Sequence, residues 1–250
     1  MRLLQITDLH LKADPRAHIQ GKIIRESLDA TLQAAFENTG EEPELIVITG
    51  DIADEEKEQD YTQAYRYLKK RLQAFGGKIR CIPGNHDFPQ LLYRCFGPQV
   101  SAGLVADNWQ LIFLDSYLRG ALGGKLDNAQ LEAIRKSQDN GIAEHTLLFL
   151  HHPPVSIGSR WLDLIKLENA DEFIDLITQY SDIKGVVFGH AHQEFESEIA
   201  GIRIMGTPAA SPRQFLPGAD EFRVDTQASP GFRWLTLHPN GRLESQVVRV

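Results

Sequence analysis

Runs of consecutive apolar residues alternate with amphipathic stretches through most of the chain. Leu45-Ile46-Val47-Ile48 is apolar at every position, the pattern of a strand buried on both faces of a sheet that helices cover. Leu3–Thr7, Ile79–Pro83, Leu147–Leu150 and Val186–Phe188 read the same way. Between them, Lys22–Asn38 places Ile24, Leu28, Leu32 and Ala35 on one helical face. Tyr61, Ala64, Tyr65, Leu68, Leu72 and Phe75 form a second stripe, read as core, and Gly76-Gly77 ends that helix. The pattern predicts a strand over Lys78–Ile82, a short helix over Pro89–Phe96 and a strand over Trp109–Leu114. A polar helix over Asp127–Asp139, a strand over Thr146–Leu150 and a helix over Ala170–Tyr180 follow. The tail turns to hairpins: Phe195–Ile199 with Ile202–Met205 around Ala200-Gly201, then Phe232–Leu237 with Leu243–Val248 around Pro239-Asn240-Gly241. Buried strands alternating with helices, then late hairpins, predict a layered α/β fold. A length of 250 residues without repeat or linker predicts one domain over 1–250.

Each of the buried strands stops at residues that bind metals. Leu3–Thr7 runs into Asp8-Leu9-His10, and Leu45–Thr49 into Gly50-Asp51. Ile79–Pro83 runs into Gly84-Asn85-His86-Asp87, Leu147–Leu150 into His151-His152-Pro153, and Val186–Phe188 into Gly189-His190-Ala191-His192. Open α/β sheets place their ligand sites at carboxyl ends of strands. One such ending carries nothing; five in order form a constellation. The candidate ligands are Asp8, His10, Asp51, Asn85, His151, His190 and His192: carboxylate, imidazole and one amide, with no thiolate. That set suits Mn²⁺, Fe²⁺/Fe³⁺, Zn²⁺ or Co²⁺. It exceeds what one ion with open positions takes, and suits two ions roughly 3.5–4 Å apart sharing Asp51, the central solitary carboxylate. Two divalent ions outweigh Asp8, Asp51 and a bridging hydroxide, so the centre attracts an anionic phosphodiester. Metal coordination lowers the pKa of water from 15.7 to about 7, and the hydroxide can attack phosphorus in line with a leaving oxygen that a histidine protonates.

Composition narrows this further. A formal net charge of −8 argues against a nucleic-acid partner, which needs a basic surface. No apolar run is long enough for a bilayer span, so no membrane partner is expected. Met1-Arg2 leads straight into a strand, and the expected location is the cytoplasm. Cys81 and Cys95 make no disulfide framework and are read as buried, inert thiols. Asp54–Glu58 is read as a solvated loop and helix start, His18 as a loop residue and Asp115 as structural. Gly120–Gly124 lacks the ending of a phosphate-cradling loop.

The ordered blocks Asp-x-His, Gly-Asp, Gly-Asn-His-Asp, His-His-Pro and Gly-His-x-His, spanning residues 8 to 192, resemble the calcineurin-like metallophosphoesterases. The resemblance implies a four-layer αββα sandwich of two mixed sheets flanked by helices. It implies a first metal on Asp8, His10, Asp51 and His192 and a second on Asp51, Asn85, His151 and His190, with iron or manganese expected. His86 is implied as the catalytic acid or charge stabiliser facing the phosphate, and His10, Asp51, Asn85, His86 and His192 as the substrate-binding set. Within the family, Ile6–His10, Pro83–Phe88, Leu150–Pro153, Trp161-Leu162-Asp163, Gly206-Thr207-Pro208 and Pro230–Arg233 look like the bacterial class III cyclic-nucleotide phosphodiesterases, above all those cleaving 3′,5′-cyclic AMP to 5′-AMP. The chain departs in having Ala209–Arg213 where the family has a Ser/Thr-Cys segment, which bears on base preference. Three rivals stand beside this. One is the same chemistry on a 2′,3′-cyclic nucleotide or glycerophosphodiester, one a silent scaffold, and one a nuclease. A scaffold would be expected to lose ligands, and this chain keeps them. A monomer or a homodimer is expected.

Overall fold

The computed structural model describes residues 1–37, 42–73, 78–100 and 102–250. Phe75, Gly76-Gly77 and Asn38 of the sequence reading lie outside the described residues. In chain order the elements are β1 (Arg2–Ile6), β2 (His18–Ile19), β3 (Lys22–Ile23), α1 (Ile24–Glu37), β4 (Leu45–Thr49), α2 (Glu58–Gln73) and β5 (Lys78–Ile82). Then come α3 (Pro89–Phe96), β6 (Gly103–Ala106), β7 (Trp109–Phe113), α4 (Asn128–Asp139), β8 (His145–Phe149), α5 (Arg160–Asp163) and α6 (Ala170–Ile177). β9 (Ile183–Phe188), β10 (Phe195–Ile199), β11 (Ile202–Gly206), β12 (Gly231–Leu237) and β13 (Leu243–Arg249) complete the chain.

Two mixed sheets result. One runs β13-β12-β1-β4-β5 and the other β10-β11-β9-β8-β7-β6. β1, β4 and β5 are mutually parallel, with Ile6 beside Ile48 and Thr49 beside Ile82. β7, β8 and β9 are parallel in the second sheet. The carboxyl ends of each parallel set therefore fall together, which is where the sequence puts its polar residues. β4 is buried along its whole length, as its unbroken apolar run requires. Leu3, Val47, Phe113, Phe149, Val187 and Leu235 pack between the sheets. Ile24, Leu28, Leu32, Tyr65 and Leu68 pack helices α1 and α2 on one outer face, and Ile134, Phe173 and Ile177 pack α4 and α6 on the other. The four-layer αββα order expected from the resemblance is what these three cores make.

Local chemistry sets the boundaries. Asp127 caps α4 by accepting from Gln130 N at 2.8 Å. Ala200 and Gly201 both adopt left-handed backbone, the geometry of a two-residue hairpin turn joining β10 to β11. β6 was not predicted; its alternating exposed and half-buried residues give no apolar run.

A line of buried polar groups crosses between the sheets below the site. Gln5 Nε2 donates to Thr49 Oγ1 at 2.7 Å, and Thr207 donates to Gln5. Arg233, fully buried on β12, donates through Nε to Thr207 Oγ1 at 3.0 Å, through Nη2 to Gly206 O at 2.8 Å and through Nη1 to Glu196 at 2.7 Å. Apolar layers slide; this network fixes one register of sheet on sheet.

Candidate metal centre

The five strand ends converge. Asp8 and His10 follow β1, Asp51 follows β4, Asn85 follows β5, His151 follows β8, and His190 and His192 follow β9. The loops after β1 and β4 are tied by Asp8 N donating to Gly50 O at 3.1 Å and His10 N to Asp51 O at 2.9 Å. Asp8, His10, Asp51, His190 and His192 all have positive φ, between 47° and 63°. Side chains rarely accept that backbone, and such strain collects where function requires a fixed aim. Two glycines make the approach possible. A Cβ at Gly50 would meet the His151 ring, and one at Gly84 would meet the Asp51 carboxylate.

Six of the seven predicted ligands are buried and Asn85 is half-buried. Asp8, His10, Asp51 and His192 form one group whose ligand atoms lie within 4.8 Å of one another. Asp51 Oδ2 stands 3.8 Å from His10 Nε2 and 3.4 Å from His151 Nε2, so one oxygen faces both halves of the site. His151 Nε2 is 3.2 Å from Asn85 Oδ1. A second group joins His151, His152 and His190. Both ring nitrogens of His152 are engaged: Ser116 Oγ donates to Nδ1 at 2.8 Å and Nε2 donates to Leu122 O at 3.2 Å. His152 thus buttresses the loop, while His151 and His190 face inward.

Hydrogen bonds orient the donors. Burial disfavours the His151 charge, but the Asp51 charge and hydrogen bond push it up to about 9, a proton that a cation would displace. His151 Nδ1 donates to Thr49 O and His192 Nδ1 to Arg213 O, each at 2.7 Å. Each bond fixes the tautomer and aims Nε2 at the centre. Burial pushes His190 down to about 3, keeping it neutral. Its Nε2 is buried with no partner among the described residues. Burial disfavours the Asp51 anion, but the His151 charge and hydrogen bond outweigh it and hold Asp51 well below the usual carboxylate range. Asp8 is likewise lowered, with His192 countering the cost of burial. Converging anionic oxygens and imidazole lone pairs, with too few protein donors to match, fit two metal ions.

Three features lie beyond the sequence reading. Asp54 belongs to the site. His86 Nδ1 donates to Asp54 Oδ1 at 3.2 Å, and Asp54 Oδ2 lies 3.7 Å from His10 Nδ1 and 3.6 Å from Lys12 Nζ. Reading it as a solvated charge was wrong, because a carboxylate in an acidic run carries no mark of its partner. The Ala209–Arg213 segment supports the first group: Ser211 N donates to Asp8 O at 3.2 Å, and Arg213 O holds His192. Cys95 is half-buried rather than buried, while Cys81 is buried; both are free. His18 is exposed on β2, and Asp115 is structural as read, accepting from Tyr93 Oη at 2.8 Å.

Comparison with known proteins places the chain. The calcineurin-like phosphoesterase family model matches residues 1–194. The 3′,5′-cyclic adenosine monophosphate phosphodiesterase CpdA of Pseudomonas aeruginosa is 34% identical, over 99% of this chain and 89% of that protein. CpdA of Escherichia coli K12 is 35% identical, over 100% of this chain and 90% of that protein. Among solved structures, a dimetal phosphatase from Danio rerio superposes with a TM-score of 0.74 at 16% identity, covering 99% of this chain and 98% of that one. Among the described residues, no helix is long and apolar enough to cross a membrane. With the motif order, the αββα layering and the paired His/Asp groups in hand, the chain belongs to the calcineurin-like phosphoesterase family.

Proposed function

We propose that this protein is a metal-dependent phosphodiesterase that hydrolyses 3′,5′-cyclic AMP to 5′-AMP. Asp8, His10, Asp51 and His192 would hold one ion, and Asp51, Asn85, His151 and His190 the other. The observation that carries a paired centre is the single Asp51 oxygen facing both His10 and His151. The substrate reading is supported by full-length similarity to proteins named as cyclic AMP phosphodiesterases. The family resemblance implies iron or manganese, and the nitrogen and oxygen donor set also admits zinc or cobalt. When bound, the pair supplies Lewis acidity that activates water near neutral pH and neutralises the phosphate.

The chain's own groups do the rest. Asp51 Oδ1 accepts from His86 N at 2.9 Å, which fixes the loop carrying the His86 ring. With its Nδ1 proton given to Asp54, His86 presents Nε2 to the cavity. Burial disfavours its charge, but the Asp54 hydrogen bond and the Asp51 and Asp54 charges push it up to about 9. Held by Asp54 in this way, a protonated His86 would give its proton to the ribose 3′ oxygen as the P–O3′ bond breaks. The test is a panel assay with Mn²⁺ or Fe²⁺ restored, using 3′,5′-cyclic AMP, 3′,5′-cyclic GMP, 2′,3′-cyclic AMP and glycerophosphocholine. The expected product is 5′-AMP from 3′,5′-cyclic AMP. Turnover of only the other diesters overturns the substrate, and turnover of none overturns the enzyme.

A further inference from the structure

The cavity of about 190 Å³ over the candidate metal centre has two unlike walls. Asp51, Asn85, His10, His86, His190 and His192 form its polar floor. Trp161, Phe215 and Phe222, with Leu122 and Ile165, form its apolar wall. Phe215 stacks on the His192 ring with centroids 4.3 Å apart and planes at 18°. Trp161 meets Phe215 edge-on at 4.9 Å and Phe222 at 5.3 Å. Phe215 is buried, yet Phe222 and Leu122 are each 59% exposed. A cluster kept for packing alone would bury its outer ring, because burial is the favourable term that packing supplies. Exposed apolar surface beside a polar floor marks ligand binding instead. Arg213 lines the same cavity and has no acidic partner among the described residues, so its charge is available to a negatively charged ligand.

We propose that Trp161 and Phe222, backed by Phe215, form the nucleobase subsite: the base lies against these rings while the phosphate rests on the floor. The position of the phosphate rests on the phosphodiesterase reading above. Stacking reads the π-face that every base has. The subsite therefore selects nucleotides over diesters without an aromatic group, and discriminates little between adenine and guanine.

Product binding tests this without turnover. The protein loaded with Mn²⁺ is titrated calorimetrically with AMP, GMP and ribose 5-phosphate. Expected is roughly 5- to 150-fold tighter binding of AMP than of ribose 5-phosphate, with GMP near AMP. Trp109 and Trp234 are buried and Trp161 half-exposed, so AMP should quench tryptophan fluorescence where ribose 5-phosphate does not. Phe222→Ala, which removes an exposed ring and leaves the core intact, should bring the AMP-to-ribose-5-phosphate ratio toward one, as should Trp161→Ala. Equal binding of the two ligands by the parent protein, or an unchanged ratio in both variants, overturns the subsite. Cyclic AMP hydrolysis is measured in parallel. Cleavage without base discrimination sinks the subsite and leaves the enzyme reading. Base discrimination without cleavage keeps the subsite and sinks the enzyme reading.

Discussion

The Asp54 carboxylate accepts a hydrogen bond from His86 Nδ1 at 3.2 Å, and this bond decides which nitrogen reaches the cavity. If His86 is the acid, its value depends on the leaving group. A ribose 3′ alkoxide needs a proton; a nitrophenolate does not. His86→Ala should slow cyclic AMP hydrolysis by roughly 10²–10⁴-fold while keeping the metals, and affect bis(p-nitrophenyl) phosphate much less. Equal losses on both substrates would assign His86 to holding the phosphate. Asp54→Asn removes the charge that holds the proton on His86. An acid works below its pKa and fails as pH rises through it, so this variant should move the alkaline limb of kcat/KM to lower pH; an unmoved limb breaks the Asp54–His86 link. At Asp51 the expectation concerns metal. Asp51 carries charge and faces both groups, whereas Asn85 faces one. Asp51→Asn should therefore lose more metal by elemental analysis than Asn85→Ala, and equal contents would contradict a bridge.

Among the elements, β12 and β10 meet across the sheets through Arg233 and Glu196. Arg233 is fully buried, while the Glu196 side chain is 44% exposed. The two are not equivalent to remove. Arg233→Met leaves a carboxylate that water can solvate, with Gly206 O short of a donor, at about 1–2 kcal/mol. Glu196→Ala leaves a buried guanidinium without its counter-ion. This should cost about 2–3 kcal/mol, less than a fully buried pair because water reaches Glu196. Burial disfavours the Glu196 charge, but the Arg233 hydrogen bond and charge lower its pKa overall. A lowered carboxyl stabilises the fold above its ordinary range and loses that stability as pH falls through the folded value. Denaturation midpoints should thus drop on acidification more in the parent than in Arg233→Met, and parallel curves would refute the pair's contribution. Neither residue was singled out in the sequence as a pair, since a cross-sheet partner leaves no local period. Strands β1, β4, β5, β8 and β9 were legible because burial demands largely apolar runs, broken only by Gln5 in β1 and Arg80 in β5 among the runs read, and their ends change abruptly to Gly, Asp, Asn and His. β6 was not, because an edge strand half in water needs no such run. Asp54 escaped for the opposite reason: its neighbours Glu55, Glu56 and Glu58 carry the same charge, and only packing singles it out.

At the scale of the whole molecule the candidate metal centre lies on the seam between the sheets. Asp8, His10, Asp51 and Asn85 come from the β1-β4-β5 side, and His151, His190 and His192 from the β8-β9 side. The halves also touch there directly, with His190 N donating to Asp8 Oδ2 at 3.0 Å and His192 Nε2 standing 3.2 Å from Asp8 Oδ1. A bound pair therefore joins the two sheets directly, and binding energy becomes folding energy because the unfolded chain presents no such set. Metal at about 100 times its Kd should stabilise the fold by about 2.7 kcal/mol per independent site. For a chain of this size that corresponds to a rise of roughly 5–10 °C in Tm. Chelation of the purified protein should lower Tm by at least that amount and Mn²⁺ should restore it. The control separates seam bridging from general ion effects: Asp51→Asn should fold, since it is isosteric, but lose most of the Mn²⁺-dependent shift. Asn85→Ala, removing one neutral donor on one side, should keep a larger share of it. A parent protein whose Tm ignores chelation, or an Asp51→Asn variant with the full shift, would show that the centre does not hold the sheets together.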